Sequence, residues 1–310
     1  KLRHEVRKNA AGFLQQCIMA RDSRNDVGLK ASMETGLDRR DSTTGLAAAN
    51  FKRVQEALRG IEENLKLAGM YNVSKLYEKA RFECYSVEKD FSCMITPLIK
   101  AEKLNTSLYC LTAEEHSRGR DNMEVVKEMV DSGVRLIQYR EKEKSMSEKY
   151  RECAELRRIT LEAGATFIVN DHPDLALMVG ADGVHLGQDD LPVEEVRRIV
   201  GEEMIIGVST HLPRQARQAV EKGADYIAVG PVFRTFTKKD VCEPVGLEYL
   251  DYAVENIGIP FVAIGGIKQH NLHQVLERGA GCIAMVTEIV GAENIGKRIM
   301  NIRRILEGDS

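Results

Sequence analysis

From Ser107 onward, short apolar or β-branched runs alternate with longer stretches in which apolar residues recur every third or fourth position. Repeated strand–helix units leave this pattern. Eight runs read as strands: Leu108–Thr112, Val134–Arg140, Thr166–Asn170, Gly183–Leu186, Ile205–Ser209, Tyr226–Val232, Phe261–Ile264 and Cys282–Val286. The segments between them, such as "SEKYRECAELRRITLEAG" and "LPRQARQAVEKGA", hold a helical period and end near glycine, where helices stop. Eight strands joined by helices within roughly 200 residues predict a TIM (β/α)8 barrel over residues 105–310. A doubly wound sheet is the competing α/β architecture, but no G-x-G-x-x-G turn follows the first strand.

Residues 1–104 lack that alternation. Phe51, Val54, Ala57, Leu58, Ile61 and Leu65 keep a helical period, so a separate, mainly α-helical domain is expected, joined to the barrel near "KAEKLNTS". The charges of "ANFKRVQEALRGIEENLKL" occupy much of that helix's circumference and read as a solvated face with favourable pairs one turn apart. "KLRHEV" at the start of the chain and "KARFEC" at Lys79 share a K-x-R-x-E spacing, which predicts a repeated helix pair. The first pair would then lack its leading helix, so the chain reads as a truncated form in which Lys1 to Leu14 packs against another element or subunit.

Composition narrows the function classes. At 310 residues the chain has ample core, and its formal charge of -3 argues against bulk nucleic-acid binding. Seven cysteines, an odd number with no C-x-x-C pair, indicate neither a disulfide framework nor a zinc site, and fit a reducing cytoplasm. No signal sequence or membrane-length apolar run is present. The oligomeric state is open, a homo-oligomer included.

In a TIM barrel the chemistry sits at the C-terminal ends of the strands. Those ends deliver Gln138, Arg140 and Lys142 from "QYREK", then "NDHPD" from Asn170 and "HLGQDD" from His185. Ser209, Thr210 and His211 follow, then "GPVFRTFTKKD" from Gly230, "AIGGI" after strand seven, and Val286 with Thr287 after strand eight. Asp171, Asp189 and Asp190 offer hard oxygen ligands of the kind Mg²⁺ takes beside phosphate and water. Arg140, Lys142 and Lys238 would surround the same volume with positive charge, as a diphosphate requires. "IGGI" and the small residues after strand eight match the place where such barrels hold a phosphate through backbone N–H groups. Plainer readings compete: Asp171 as N-cap of a helix from Pro173, Asp189 and Asp190 as caps of the next helix, Lys238 and Lys239 as loop charges, the glycines as turn formers. His172, His185 and His211 lack metal-ligand spacing and read as structural or peripheral.

Taken together and in order, "QYREK", "FIVNDHPDLALMVGADGVHLGQDDLP", "IGVSTH", "GADYIAVGPVFRTFTKKD" and "IPFVAIGGI" closely resemble the thiamine-phosphate synthase family, from about Leu108 to Leu306. The resemblance implies that a pyrimidinylmethyl diphosphate and a thiazole phosphate are joined to give thiamine phosphate and pyrophosphate. It implies further that Gln138, Arg140, Lys142 and Asn170 hold the pyrimidine diphosphate, that Asp171 and Asp190 bind Mg²⁺, and that Ser209 and Lys238 contact the diphosphate. Thr235, Thr237, Gly266, Val286 and Thr287 would position the thiazole phosphate, and departure of the diphosphate would precede attack. Where the family often carries "GADG" before the last strand, this chain has Gly281 and Cys282. The first 104 residues resemble an extension linked to phosphorylation of the pyrimidine monophosphate, although they contain no P-loop. A thiazole tautomerase and a catalytically silent precursor sensor are the alternatives.

Overall fold

The computed structural model of the chain describes residues 43–237 and 243–308. Lys238 and the segment Lys1 to Leu14 lie outside the described residues. The chain divides into two compact units, Lys1–Pro97 and Leu98–Ser310.

Within the described part of the first unit, helix α1 (Thr43–Leu67) turns back through Gly69, whose φ of 73° needs a residue without Cβ, into α2 (Tyr71–Leu104). Leu58, Leu65, Tyr77, Ala80 and Cys84 close a small core between the two helices, with Phe51 and Ile61 beside it. Glu62 departs from the expected solvated face: it is buried, accepting from Lys66 Nζ at 2.7 Å and from Arg81 Nη2 at 3.0 Å. Pro97, which cannot donate the helical N–H bond, stands where the two units part.

The second unit is a closed barrel of eight parallel strands in sequence order, β8 returning to β1. The strands are β1 (Leu108–Leu111), β2 (Leu136–Tyr139), β3 (Thr166–Asn170), β4 (Gly183–Leu186), β5 (Ile205–Thr210), β6 (Tyr226–Val229), β7 (Phe261–Ile264) and β8 (Ile283–Met285). Between them run α3 (Asn122–Asp131), α4 (Met146–Glu162), α5 (Pro173–Val179), α6 (Val193–Val200), α7 (Pro213–Glu221), α8 (Gly246–Asn256) and α9 (Leu272–Leu276), and after β8 come α10 (Thr287–Val290) and α11 (Ile295–Glu307). All eight expected strands form. β6 stops at Val229, short of the expected Val232, because Gly230 and Pro231 follow and proline offers no N–H to a ladder. β2 keeps only Leu136–Tyr139 of the expected run, leaving Arg140 in the loop.

Strands buried on both faces account for the nearly continuous apolar runs. One set of side chains, including Val184, Ile206 and Ile227, packs outward against the helices. The other fills the barrel: Tyr109, Leu111, Leu136, Ile168, Ile205, Tyr226, Val262, Cys282 and Ala284, closed at the N-terminal end by Leu104. Side chains alternate along a strand, so the inward positions nearest the C-terminal mouth are Gln138, Asn170, His185 and Ser209 from β2 to β5. Ala228 and Ile264 take the same place on β6 and β7. The mouth is polar on one side and apolar on the other.

The floor is braced by two matching clamps. Gly180-Ala181-Asp182 and Gly223-Ala224-Asp225 each end a helix on a left-handed glycine and bring an aspartate to the start of a strand. Asp182 accepts from Phe167 N at 2.9 Å, Arg157 Nη1 at 2.7 Å and Lys103 Nζ at 2.5 Å. Asp225 accepts from Ile206 N at 2.8 Å, Arg197 Nη2 at 2.6 Å and Lys100 Nζ at 3.0 Å. No described helix is long and apolar enough to cross a membrane. The described cysteines, Cys84, Cys93, Cys110, Cys153 and Cys282, are all free.

Candidate active site

The β2 end explains why a strand should run into charge. Gln138, 2% exposed, donates through Nε2 to Tyr109 OH at 2.7 Å. Arg140 is pinned by its backbone, whose N–H donates to Thr112 Oγ1 at 2.9 Å. Its side chain is 7% exposed, and its buried Nε has no partner among the described residues. A buried donor without a partner costs about 1–3 kcal/mol, so this N–H is available to an anionic oxygen from outside the described residues.

The loop after Arg140 is tied down from behind. Glu141 accepts from Glu114 N at 2.9 Å and Asn122 Nδ2 at 3.0 Å, and burial pushes its carboxyl above the usual range. Lys144 bridges Glu114 and Glu152, and Ser145 opens α4 with a capping box to Glu148. Glu141 and Lys144 are spent on the scaffold, and Lys142 is left to the mouth, where it pairs with Asp171.

Asp171 stands in the left-handed region, at φ 64°, a conformation aspartate tolerates at a cost on the order of 1 kcal/mol. It does not cap α5: His172 takes that position, without a side-chain bond. Asp190 does not cap α6 either, since Pro192 precedes that helix and Asp190 Oδ2 instead accepts from Gly187 N at 2.6 Å. Freed from capping, the two carboxyls face one another. Burial raises both; Lys142 outweighs it at Asp171, which falls below the usual range, while the neighbouring Asp171 charge helps burial to raise Asp190. Two acids so divided at one spot could hold a divalent cation, because Mg²⁺ takes one or two carboxylates and completes its shell with water and phosphate. Among the described residues no group of three or more His, Cys, Asp and Glu side chains is gathered to hold a metal, so the chain offers a pair and not a cage.

Two cavities open at the mouth. The first, about 350 Å³, has an apolar floor including Leu111, Val262 and Ile264, and carries Gln138, Asn170, Thr235, Gly266, Val286 and Thr287 on its walls. The second, about 810 Å³, is polar and holds Lys142, Asp171, Asp189 and Asp190. Arg140, Ser209, His211 and Thr237 line both, forming the wall between them. Every expected site residue within the described chain thus reaches one cavity or the other. The glycines of "IGGI" also serve packing: a Cβ on Gly265 would lie 2.4 Å from Pro231 Cβ, and one on Gly266 would lie 2.5 Å from Arg234 O. Both glycines let the loop after β6 lie directly on the loop after β7.

Residues 108–289 match the family model described as thiamine monophosphate synthase, and residues 1–90 match that of the ThiD2 family. A thiamine-phosphate synthase from Pelotomaculum thermopropionicum is 61% identical over 203 residues, covering 66% of this chain and 93% of that protein. Another from Lawsonia intracellularis is 54% identical, covering 67% and 96%. The chain belongs to the thiamine-phosphate synthase family. The solved structure of thiamine phosphate pyrophosphorylase from Pyrococcus furiosus, 37% identical, superposes with a TM-score of 0.62 over 67% of this chain and 98% of that one. Within the described residues, the ThiD2 match takes in α1 and the first part of α2.

Membership in the thiamine-phosphate synthase family makes the chain a transferase of thiamine biosynthesis on a TIM barrel. Several cavity-lining residues escaped the sequence reading. His185 and His211, expected to be structural or peripheral, both line the first cavity, and His185 Nε2 lies 2.9 Å from Ser209 Oγ. His116 and Lys268 line it as well. Their signal was weak: His116 belongs to a short 3₁₀ turn after β1, and Lys268 follows "IGGI" by one residue.

Proposed function

We propose that the barrel, residues 105–310, joins 4-amino-2-methyl-5-pyrimidinylmethyl diphosphate to a thiazole phosphate, releasing pyrophosphate and giving thiamine phosphate. The observation that carries this reading is Arg140: buried, its Nε without a partner among the described residues, and lining both cavities. The diphosphate fits the polar cavity, where Arg140, Lys142 and Ser209 meet it, with Lys238 assigned beside them from the sequence. The pyrimidine ring fits between Gln138 and Asn170. The thiazole phosphate fits the apolar cavity beside Thr235, Thr237, Gly266, Val286 and Thr287.

The step is dissociative. The C–O bond to the diphosphate breaks with its electron pair leaving on the diphosphate oxygen, and the electron-rich aminopyrimidine spreads the positive charge left on the methylene carbon. Arg140 and Lys142 stabilise the departing charge. The thiazole nitrogen then donates its lone pair to that carbon within the first cavity, beside the wall shared with the polar one, which calls for positioning and no general base. Asp171 and Asp190 would hold Mg²⁺, which when bound supplies Lewis-acid charge to the diphosphate oxygens.

The test is incubation with both substrates and Mg²⁺. Thiamine phosphate and pyrophosphate should form in equal amounts, stop with EDTA and return with added Mg²⁺. Full turnover in chelator would remove the metal from the reading. A thiazole tautomerase or a silent precursor sensor would release no pyrophosphate. For residues 1–104 the ThiD2 match and the resemblance support phosphorylation of the pyrimidine monophosphate, the step that would supply the barrel; failure to form ADP from ATP and that monophosphate would sink this part alone. A cytoplasmic location fits such substrates.

A further inference from the structure

Gln138 and Ser209, both assigned above to the pyrimidine diphosphate, stand at opposite ends of a buried chain of hydrogen bonds that crosses the barrel. Gln138 Nε2 donates to Tyr109 OH at 2.7 Å, and Tyr109 OH lies 3.0 Å from Tyr226 OH. Tyr226 OH lies 2.9 Å from His185 Nδ1, and His185 Nε2 lies 2.9 Å from Ser209 Oγ. Five strands contribute one residue each. Gln138, Tyr109, His185 and Ser209 all line the first cavity, whereas Tyr226, 0% exposed, lines neither. Its place is made by Gly207, its register partner on β5. A Cβ on Gly207 would come within 2.1 Å of Tyr226 Cζ and 2.5 Å of its hydroxyl oxygen. An apolar pair could fill that volume without burying a hydroxyl; the hydroxyl is tolerated because it is bonded on both sides.

Proton bookkeeping gives the chain a direction. Burial holds both phenols far above the usual tyrosine range, so each carries one proton and donates once. Gln138 already donates into Tyr109, so the Tyr109 proton goes to Tyr226 and the Tyr226 proton to His185 Nδ1. The imidazole then carries its own proton on Nε2 and donates it to Ser209 Oγ. The Ser209 proton is left for the cavity. Reversed, the chain would give the Tyr109 oxygen two donors and leave its proton no acceptor within the chain.

We propose that Tyr226, seated against Gly207, is the positioning residue that orders this chain: it fixes His185 as the Nε2–H tautomer, so that Ser209 offers its hydroxyl hydrogen to an anionic oxygen of the pyrimidine diphosphate. At the other end Gln138 keeps its amide oxygen for the ring. Aligned hydrogen bonds polarise one another, so a loss at Tyr226 is felt at Ser209, two bonds away. The inference rests on Gln138 and Ser209 holding that substrate.

Tyr226→Phe in the full chain removes one oxygen and keeps the ring. The kcat/KM for the pyrimidine diphosphate should fall about tenfold to a hundredfold, the range expected when buried polar groups lose a partner, while KM for the thiazole phosphate stays put. Nitrogen NMR of histidine-labelled wild type, with the His185 signal assigned from a His185→Gln spectrum, should show the neutral Nε2–H tautomer, and Tyr226→Phe should lose that preference. A purely structural tyrosine would lower Tm and leave both tautomer and KM unmoved. An Nδ1–H tautomer in the wild type, or kcat/KM within twofold in Tyr226→Phe, overturns the proposal. Should Tyr226→Phe fail to fold, the wild-type tautomer decides alone. If Ser209→Ala leaves kcat/KM for the pyrimidine diphosphate unchanged, the substrate assignment fails, and the tautomer still decides the relay.

Discussion

At the floor of the barrel, Asp182 and Asp225 each meet an arginine, a lysine and a backbone N–H; at the mouth, Asp171 meets Lys142 but also a second carboxyl, and the buried Arg140 Nε has no partner among the described residues. The same charged residue types are used to opposite ends. A floor charge balanced inside the protein contributes to stability whether or not a ligand is present. The Arg140 Nε, without a partner among the described residues, costs stability that a bound anion would restore. Among the described residues, the full set of partners at Asp182 and Asp225 marks scaffold, and the unpaired Arg140 Nε marks the candidate site.

The largest effect that sharpens this contrast is at Arg140. Arg140→Ala should lower kcat/KM by about 10²- to 10³-fold, the loss typical of one group that stabilises developing charge. Its Tm should hold or rise, because the variant deletes a buried cation whose Nε has no partner among the described residues. Pyrophosphate release and a thermal melt measure the two. A variant that loses its fold in step with its activity would put Arg140 with the scaffold and erase the contrast.

The floor should answer the other way and more weakly. Asp182→Asn should cost about 2 kcal/mol, the worth of charge-assisted hydrogen bonds, or some 4–8 °C in Tm for a unit of this size. Its kcat/KM, taken well below the melt, should stay within twofold. Burial works to raise the Asp182 carboxyl, but Lys103, the Phe167 N–H and Arg157 outweigh it and hold the group below the usual carboxylate range. The folded value lies under the unfolded one, so the stabilisation is complete above about pH 4 and is lost as pH falls through the folded value. Wild-type and variant melts should therefore differ at neutral pH and converge in acid. A gap that persists in acid would mean that the charge of Asp182 is not what braces the floor.

How much of this was legible beforehand follows from the kind of signal involved. A buried parallel strand must be apolar at consecutive positions, so all eight were readable, and two of the boundary errors fell where proline or a loop residue ended the ladder, at Pro231 and Arg140. The site was readable at strand ends because the barrel forces the ends together. What stayed hidden depends on register. Nothing in the run containing Gly207 announces that it faces Tyr226, and His185 looks peripheral until its two ring nitrogens are found between Tyr226 and Ser209. The capping readings of Asp171 and Asp190 were reasonable on residue type. Only the backbone decides against them, since the cap positions fall at His172 and Pro192.

The smallest test uses a clamp that this chain leaves incomplete. Gly279-Ala280-Gly281 repeats the two floor clamps, with a left-handed Gly279 and a buried Ala280, but glycine stands where Asp182 and Asp225 stand. A Cβ on Gly281 would meet nothing within 4 Å, and the hollow beside it is lined by Arg135 and Arg303. Both arginines are already partly engaged: Arg135 Nη1 donates to Val134 O at 3.0 Å, and Arg303 Nη2 pairs with Glu307 at 3.1 Å. A new carboxylate would therefore add only an exposed attraction, assisted by a narrower unfolded ensemble and opposed by the poor strand propensity of aspartate. Gly281→Asp should stabilise by about 0.5–1 kcal/mol, visible as a Tm gain of about 1–4 °C that shrinks in molar salt. Condensation should be untouched, because Gly281 lies at the opposite end of the last strand from Val286 and Thr287. A lowered Tm would show that the third clamp differs from the other two in more than its missing carboxylate.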